Sequence, residues 1–171
     1  DALSAMALQE VLSVFSSLCE VAKNRSILDF RSFSDQIIAA ANQTVCNFSL
    51  SHNGTPIRVS MTMVAIEGDI LRVVSVGNTR AALVRQGKII PITEDQTVAH
   101  RYVQMGAIPP ETEQTHPERN VLTQYIGRFP QDGPVLPENK FHAKLMDNDE
   151  ICLYGTGISQ ALPPHILKSL L

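Results

Sequence analysis

The side chains that could act in catalysis are scattered along this sequence. A serine hydrolase of the common strand–turn–helix type would show a Gly-x-Ser-x-Gly segment, and none occurs. The histidines share no spacing with a serine and an acidic residue that would indicate a catalytic triad. They are His52, His100, His116, His142 and His165. The residues alone therefore support no nucleophilic mechanism, although the fold could still assemble a triad from distant residues.

Gly155-Thr156-Gly157 lies between an apolar run and a helical pattern, where a nucleotide phosphate could bind. A dinucleotide-binding fingerprint needs a third glycine, and Gln160 stands at that position. No second strand pattern follows it, as a β-α-β unit would require. The segment therefore predicts a tight strand-to-helix turn.

The acidic residues do not form a pattern that would bind a metal. Hard divalent cations need several carboxylates that converge on one point. Here the carboxylates fall in predicted turns, at helix starts and in a proline-rich stretch, where we expect them to be solvated. They include Asp69, Glu94, Asp95, Glu111, Glu113, Asp147, Asp149 and Glu150. The residues alone therefore predict no metal ligand and no catalytic residue.

Arg119 and Asn120 follow His116-Pro117 in the proline-rich stretch 107–138. Four polar or charged side chains in five residues are more than a simple connecting loop needs. A guanidinium group binds carboxylates and phosphates with two parallel hydrogen bonds. Arg119 could therefore hold an anion. The role that we favour for it is to tie down the loop.

Length and composition indicate one ordinary folded domain. The chain has 171 residues and a mass of 18.8 kDa, enough for a proper core. Its net charge of −3 gives no electrostatic reason to expect nucleic acid or an anionic membrane as partner. No apolar run approaches the roughly 20 residues that span a bilayer, and no leader peptide is expected. Because Cys19, Cys46 and Cys152 are odd in number and far apart, we expect free thiols and a cytoplasmic protein.

Two amphipathic helices are predicted at the start of the chain. From Ala2 to about Lys23, apolar residues recur every three or four positions, which indicates one buried stripe. The second helix is predicted to begin at a Ser34 cap. Its buried face would comprise Ile37, Ile38, Ala41 and Val45.

Beyond Asn53-Gly54 the apolar period falls to two, which indicates strands. The predicted strands cover 57–65, 70–76, 81–84, 88–92, 141–145 and 150–154. The last two are predicted to pair with each other around Asp147-Asn148-Asp149. A short helix capped by Thr93 would end at Gly106. A final helix would run from about 163 to 170.

These elements predict an α+β domain with antiparallel β-sheets covered by helices. Most connections are too short for the crossover helices of a parallel sheet. The stretch 107–138 holds six of the ten prolines and little periodicity, so we expect a long surface excursion or a small functional flap. We treat 1–171 as a single domain.

Several runs, taken in order, resemble the metal-dependent protein phosphatases of type 2C, the PPM-type family, and bacterial members in particular. The most specific is His116 to Gly127 (HPERNVLTQYIG), which is similar to the family's flap region. The others are Ser60 to Ala65 (SMTMVA), Asp69 to Gly87 (DILRVVSVGNTRAALVRQG), Ile92 to Gln96 (ITEDQ) and Ile151 to Ala161 (ICLYGTGISQA). The resemblance implies a partial α-β-β-α sandwich that is incomplete at both ends, with 107–138 as its flap.

The same resemblance implies a metal site that has lost its ligands. Members of the family hold two manganese or magnesium ions, mainly by aspartates, and so activate the water that attacks phosphoserine or phosphothreonine. The aspartate of the family's Ser-Asp-Gly maps to Thr156, a neutral hydroxyl. The family's Asp-Gly-x-Gly-His motif and its late Asp-Asn pair have no counterpart in this chain. Asn78 replaces the aspartate of Gly-Asp-Ser-Arg and Gln96 replaces a histidine, and we expect both to be structural.

The expected function is that of a degenerate type 2C phosphatase-like domain, catalytically inactive, that serves as a regulatory or partner-binding module. The expected partner is a protein, with phosphoproteins among the candidates, and no cofactor is expected in this chain. Candidate contacts to a partner or a phosphate are Arg119, Asn120, Gly155, Thr156 and Gly157. One alternative is an active metal-dependent protein serine/threonine phosphatase, using Mn²⁺ or Mg²⁺, whose remaining ligands lie outside this chain. The other is a structural assembly domain.

Overall fold

The computed structural model describes residues 2–23, 30–137 and 139–161. They belong to two compact units. The first unit spans Asp1–Val59 and Tyr125–Leu136, and the second spans Ser60–Gln124 and Pro137–Leu171. Within the described part, none of the helices is both long and apolar enough to cross a membrane.

Two helices of 22 residues each make up most of the first unit, α1 (Ala2–Lys23) and α2 (Phe30–Ser51). The bounds of α1 are those predicted. The prediction for the start of α2 is wrong, because the helix begins at Phe30 and Ser34 lies inside it. The Ser34 hydroxyl donates to the Arg31 carbonyl at 2.8 Å, as a serine inside a helix commonly does. The predicted buried face of α2 is confirmed.

A segment of the proline-rich stretch is fastened within the same unit. Asn42 of α2 accepts from the amides of Gly127 and Arg128 at 2.8 Å each, and its own amide donates to the Arg128 carbonyl at 2.9 Å. Val59 and Ile126 exchange two backbone hydrogen bonds. The described part of 107–138 also holds two short 3-10 helices, Pro110–Thr115 and Pro130–Asp132, and Leu122 forms an isolated bridge with Thr97.

The second unit contains all the described strands. They are β1 (Met61–Glu67), β2 (Ile70–Val76), β3 (Arg80–Arg85), β4 (Lys88–Pro91), β5 (Asn139–Lys144) and β6 (Glu150–Tyr154). Two short helices, α3 (Val98–Gln104) and α4 (Thr156–Ala161), complete it. The predicted strand from 57 is shorter than expected, because Val59 forms only an isolated bridge and β1 begins at Met61.

The strands form two antiparallel sheets, in the orders β1-β2-β5 and β4-β3-β6. Their inner faces share one core of Leu71, Val73, Ala81, Leu83 and Ile92, against which Val64, Phe141, Leu145 and Ile151 pack. The predicted pairing of β5 with β6 is wrong, because β5 pairs with β2 and β6 pairs with β3. The predicted turn at Asp147-Asn148-Asp149 is present, with Asn148 at φ 65°, but it carries the chain from one sheet to the other. The α+β class with antiparallel sheets is confirmed.

Helix α3 is capped by Thr97 and not by Thr93, which corrects the prediction. The Thr97 hydroxyl accepts from the amide of His100 at 3.2 Å. The Thr93 hydroxyl instead accepts from the Ala81 amide of β3 at 2.9 Å. The predicted end at Gly106, which has φ 71°, is confirmed. The helix predicted for 163–170 lies outside the described residues, and the single-domain boundary of 1–171 stays a prediction.

Candidate functional site

A small cleft in the second unit brings together three of the five predicted contact residues. Arg119, Asn120 and Thr156 line it with Arg80, Asp95, Glu113 and Gln114. Its volume of about 10 Å³ is close to the smallest that holds one water molecule. Gly155 and Gly157 flank Thr156 in the chain but do not line the cleft. The Gly155 carbonyl accepts from the Ile158 amide at 3.1 Å in the first turn of α4.

Arg80 and Asp95 form a two-bond ion pair at one wall of the cleft. Nε and a terminal nitrogen of Arg80 donate to the two carboxylate oxygens of Asp95 at 2.7 Å each. The side chains are only 22% and 10% exposed. Asp95 raises the pKa of the Arg80 guanidinium, chiefly through these hydrogen bonds. Both acceptor oxygens of Asp95 therefore already face a cation.

Glu113, the second carboxylate of the cleft, is also paired. Its Oε1 lies 3.0 Å from Nδ1 of His100 on α3. The two side chains are 18% and 19% exposed. The 3-10 helix that carries Glu113 and Gln114 packs against α3, which positions both residues at the cleft.

Arg119 reaches the cleft from a turn that follows His116. Its backbone amide donates to the His116 carbonyl at 3.1 Å, and a guanidinium nitrogen contacts the same carbonyl at 3.4 Å. The His116 Nδ1 accepts from the Glu118 amide at 3.1 Å. Arg119 thus contacts the backbone of its own turn, and it also presents a cationic group to the cleft. Its predicted role in tying down the longer loop stays a prediction.

Asn78 and Gln96 brace the turn that precedes Arg80. The Gln96 side chain accepts from the Gly77 amide at 2.8 Å, and the Gln96 amide donates to the Gly77 carbonyl at 2.9 Å. The Asn78 side chain accepts from the Ser60 hydroxyl at 2.9 Å. The Gln96 side chain thus bonds the backbone and the Asn78 side chain bonds the Ser60 hydroxyl, and neither residue lines the cleft.

The sequence alone did not indicate either of the side-chain pairs at the cleft, Arg80 with Asp95 and His100 with Glu113. Arg80 and Asp95 are 15 positions apart, and His100 and Glu113 are 13 apart. Neither spacing indicates a pair by itself. The one available signal is that Arg80 and Asp95 occupy matching positions in two of the runs that resemble the phosphatase family.

No protein-family model matches the chain. A protein of Streptococcus pyogenes named as a 2C-type protein phosphatase is 28% identical over 103 residues, which cover 60% of this chain and 41% of that protein. The crystal structure of the serine/threonine phosphatase PstP/Ppp from Mycobacterium tuberculosis superposes with a TM-score of 0.84 at 21% identity, over 99% of this chain and 69% of that one. The catalytic domain of PstP in complex with 2 manganese ions gives a TM-score of 0.78 at 19% identity, over 96% and 66% of the two chains. The chain spans less than half the length of the curated relatives that it matches.

The donors at the cleft do not suit a pair of divalent cations such as the manganese ions of that relative. Asp95 is engaged by the Arg80 guanidinium and Glu113 by a ring nitrogen of His100, and two guanidinium groups share the cleft wall. Thr156 and Asn120 offer only neutral oxygens. Among the described residues, no group of three or more His, Cys, Asp or Glu side chains is arranged to hold a metal.

Proposed function

We propose that this chain, a type 2C (PPM) phosphatase-like domain by its fold and its relatives, is catalytically inactive and serves as a regulatory or partner-binding module. The observation that carries the proposal is Thr156. It stands where the family has a metal-binding aspartate, in a cleft whose own two carboxylates are already paired.

The replacement of the family's aspartate by Thr156 removes an electrostatic attraction that a bound metal ion needs. An anionic oxygen about 4 Å from a divalent cation contributes on the order of a few kcal/mol even at an effective dielectric constant of 20. A threonine hydroxyl gives up that attraction. Recruiting Asp95 instead would require breaking its two 2.7 Å bonds to Arg80. Two-metal activation of water is therefore unsupported by the described residues.

The same cleft offers groups that bind a phosphate without a metal. Arg119 supplies a guanidinium, Asn120 an amide and Thr156 a hydroxyl, and all three side chains line the same cleft. Charge-assisted hydrogen bonds from arginine are the usual means of holding a phosphate. The Arg80–Asp95 pair is neutral overall, so Arg119 is the cation that would meet the phosphate first. We therefore propose a phosphoprotein as the partner, with a cytoplasmic location as predicted from the sequence. Its phosphate would contact these side chains at the opening of the cleft, because the cleft itself has room for about one water molecule.

The alternative is an active serine/threonine phosphatase. It is favoured by the names of the relatives and by their greater length, because residues outside the matched region could supply ligands. The further alternative, a structural assembly domain, predicts that the cleft binds no phosphorylated peptide.

Fluorescence anisotropy with paired peptide pools tests the proposal. The probes are a degenerate phosphothreonine peptide pool and its unphosphorylated counterpart. We expect binding of the phosphorylated pool alone, weakened about tenfold or more by Arg119→Ala. Arg101→Ala is the matched control, because Arg101 is exposed on α3 and does not line the cleft. Binding of neither pool supports the assembly alternative, and manganese-dependent release of phosphate supports the active one.

A further inference from the structure

A groove with a volume of about 450 Å³ lies between two turns of the second unit. One wall is the turn between β3 and β4, with Gln86 and Gly87, and the other is the segment Met146–Asp149 that leads into β6. Pockets that bind ligands commonly have volumes of about 300 to 1,000 Å³. The groove is therefore large enough to take a side chain of another molecule.

The groove and the cleft lie at opposite ends of β3. Arg80, at the start of the strand, lines the cleft, and Arg85, at its end, lines the groove. At about 3.3 Å per strand residue, the two positions are roughly 17 Å apart. The groove and the cleft share none of their lining residues. A ligand in the groove therefore binds apart from the phosphate proposed for the cleft.

The two walls of the groove are tied together by Arg85 and Asp149. Nε and a terminal nitrogen of Arg85 donate to the two carboxylate oxygens of Asp149 at 2.9 and 2.6 Å. The same terminal nitrogen donates to the Lys144 carbonyl at 2.9 Å, and Asp149 also accepts from the Met146 amide at 2.7 Å. The Asp149 side chain is only 2% exposed. The groove is therefore pre-formed in the folded unit.

The charged side chains that line the groove do not cancel. Arg85 compensates Asp149, which leaves the negative charges of Asp147 and Glu150. Both of these residues are exposed, and neither has a hydrogen-bond or ion-pair partner among the residues that the structure describes. The groove is therefore complementary to a cation.

Two lysines occur near the groove but do not line it. The Lys144 ammonium group lies 3.0 Å from a carboxylate oxygen of Asp69, which compensates its charge. Lys88 is exposed and stands opposite Arg85 in the register of β3 and β4. The carboxylates of Asp147 and Glu150 thus remain open to a cation from outside.

Met146 narrows the choice of cation. Its side chain is 59% exposed and lines the groove together with the two carboxylates. A divalent metal ion needs several converging carboxylates, and in the described part of the chain no group of three or more His, Cys, Asp or Glu is arranged to hold one. An arginine side chain has an apolar stem that packs on a thioether and a planar guanidinium with five donors for carboxylates.

We propose that this groove is a docking site for an arginine side chain of a partner protein. The stem of that arginine packs on Met146, and its guanidinium donates to the carboxylates of Asp147 and Glu150. The site goes beyond the proposed function and does not depend on it, because it needs no phosphate and none of the cleft residues.

A chemical-shift titration of the full chain by NMR tests the proposal with N-acetylarginine amide as the probe. The reporters are the backbone amides of 85–87 and 147–150. Because exposed ion pairs contribute little each, we expect saturable shifts at these amides with a Kd on the order of 1 to 10 mM. N-acetylnorleucine amide, which has an apolar stem and no charge, should bind at least about threefold more weakly.

The double variant Asp147→Asn/Glu150→Gln should bind N-acetylarginine amide at least about threefold more weakly than the wild type. We expect it to fold, because neither side chain bonds another described residue. The matched control is Glu10→Gln/Glu111→Gln, which removes the same charge from exposed residues that do not line the groove and should keep the wild-type affinity.

Four results would overturn the proposal. They are unchanged affinity in the Asp147→Asn/Glu150→Gln variant, an equal loss in the control, shifts spread over amides outside the groove, and equally tight binding of N-acetyllysine amide. Failure of the phosphorylated peptide pool to bind would overturn the proposed function and leave the titration result standing.

Discussion

The guanidinium of Arg80 holds both carboxylate oxygens of Asp95, each at 2.7 Å, at the wall of the cleft that Thr156 also lines. The pair joins the start of β3 to the loop that leads into α3. A carboxylate held in this way is not available to a metal ion unless the pair is broken, which would leave a largely buried guanidinium without its partner. Because Arg80 occupies both carboxylate oxygens of Asp95, the cleft gains no metal ligand from Asp95.

Replacing Asp95 by asparagine tests the structural role of this pair. The change leaves the Arg80 charge largely buried beside a neutral acceptor, so we expect the free energy of unfolding to fall by about 2 to 3 kcal/mol. Asp147→Asn is the control, because Asp147 is exposed in the turn before β6, and we expect it to stay within about 0.5 kcal/mol. Urea unfolding followed by circular dichroism measures both. Equal effects of the two changes would show that the pair contributes nothing.

Gly127 tests the fastening of the proline-rich stretch to α2. Its φ is +100°, and an added Cβ would meet the Ile57 carbonyl oxygen and, at 2.7 Å, Cγ1 of Val45. Gly127→Ala is therefore expected to destabilise the protein by about 2 to 4 kcal/mol. Gly155→Ala, where nothing lies within 4 Å of the added Cβ, should cost no more than about 0.5 kcal/mol. Thermal unfolding of the two variants side by side distinguishes them, and a wild-type melting temperature for Gly127→Ala would contradict the structure.

The Arg85–Asp149 pair predicts how stability depends on acid. Hydrogen bonds from Arg85, then from the Met146 amide, lower the pKa of Asp149 from 3.8 to about 2. Because the folded-state pKa lies below the unfolded one, the unfolded chain binds more protons between these values. The contribution is fully present above about pH 5 and is lost as the pH falls from about 4 toward 2.

Urea midpoints measured between about pH 6 and pH 2.5 check this expectation. Asp149→Asn should remove most of the decline, whereas Asp147→Asn should keep it. A smaller decline should persist in Asp149→Asn, because Lys144 also lowers the pKa of Asp69. A variant profile that parallels the wild type would exclude Asp149 as a main source of acid sensitivity.

Local sequence patterns predicted the positions of most strands and turns, but they did not predict correctly which strands pair. The turns at Gln86-Gly87 and Asp147-Asn148-Asp149 both form, with positive φ at Gln86 and Asn148. Only the first makes a hairpin, β3 with β4. At the second, Leu145 and Ile151 both pack on the shared core from opposite sheets, and this burial, not the turn, decides that β5 and β6 separate. A local sequence pattern carries no such information.

Helix starts show the same limit. Ser34 and Thr93 both have the side chain of a cap, but each bonds elsewhere, Ser34 within α2 and Thr93 to β3. Of the residues that line the cleft, the sequence singled out Thr156, Arg119 and Asn120, because a departure from a family motif and a dense polar run are visible there. Their role as contacts stays a prediction. The pairing of Asp95 and Glu113 with Arg80 and His100 depends on tertiary distances, which the sequence does not display.

Calorimetric titration of manganese into the full chain tests the claim of an inactive domain most directly. The catalytic domain of PstP, whose structure holds 2 manganese ions, serves as the positive control under the same conditions. We expect saturable heat from PstP, none from this chain, and no manganese-dependent hydrolysis of p-nitrophenyl phosphate by it. Saturable manganese binding by this chain, together with hydrolysis that disappears in Thr156→Val, would contradict the account.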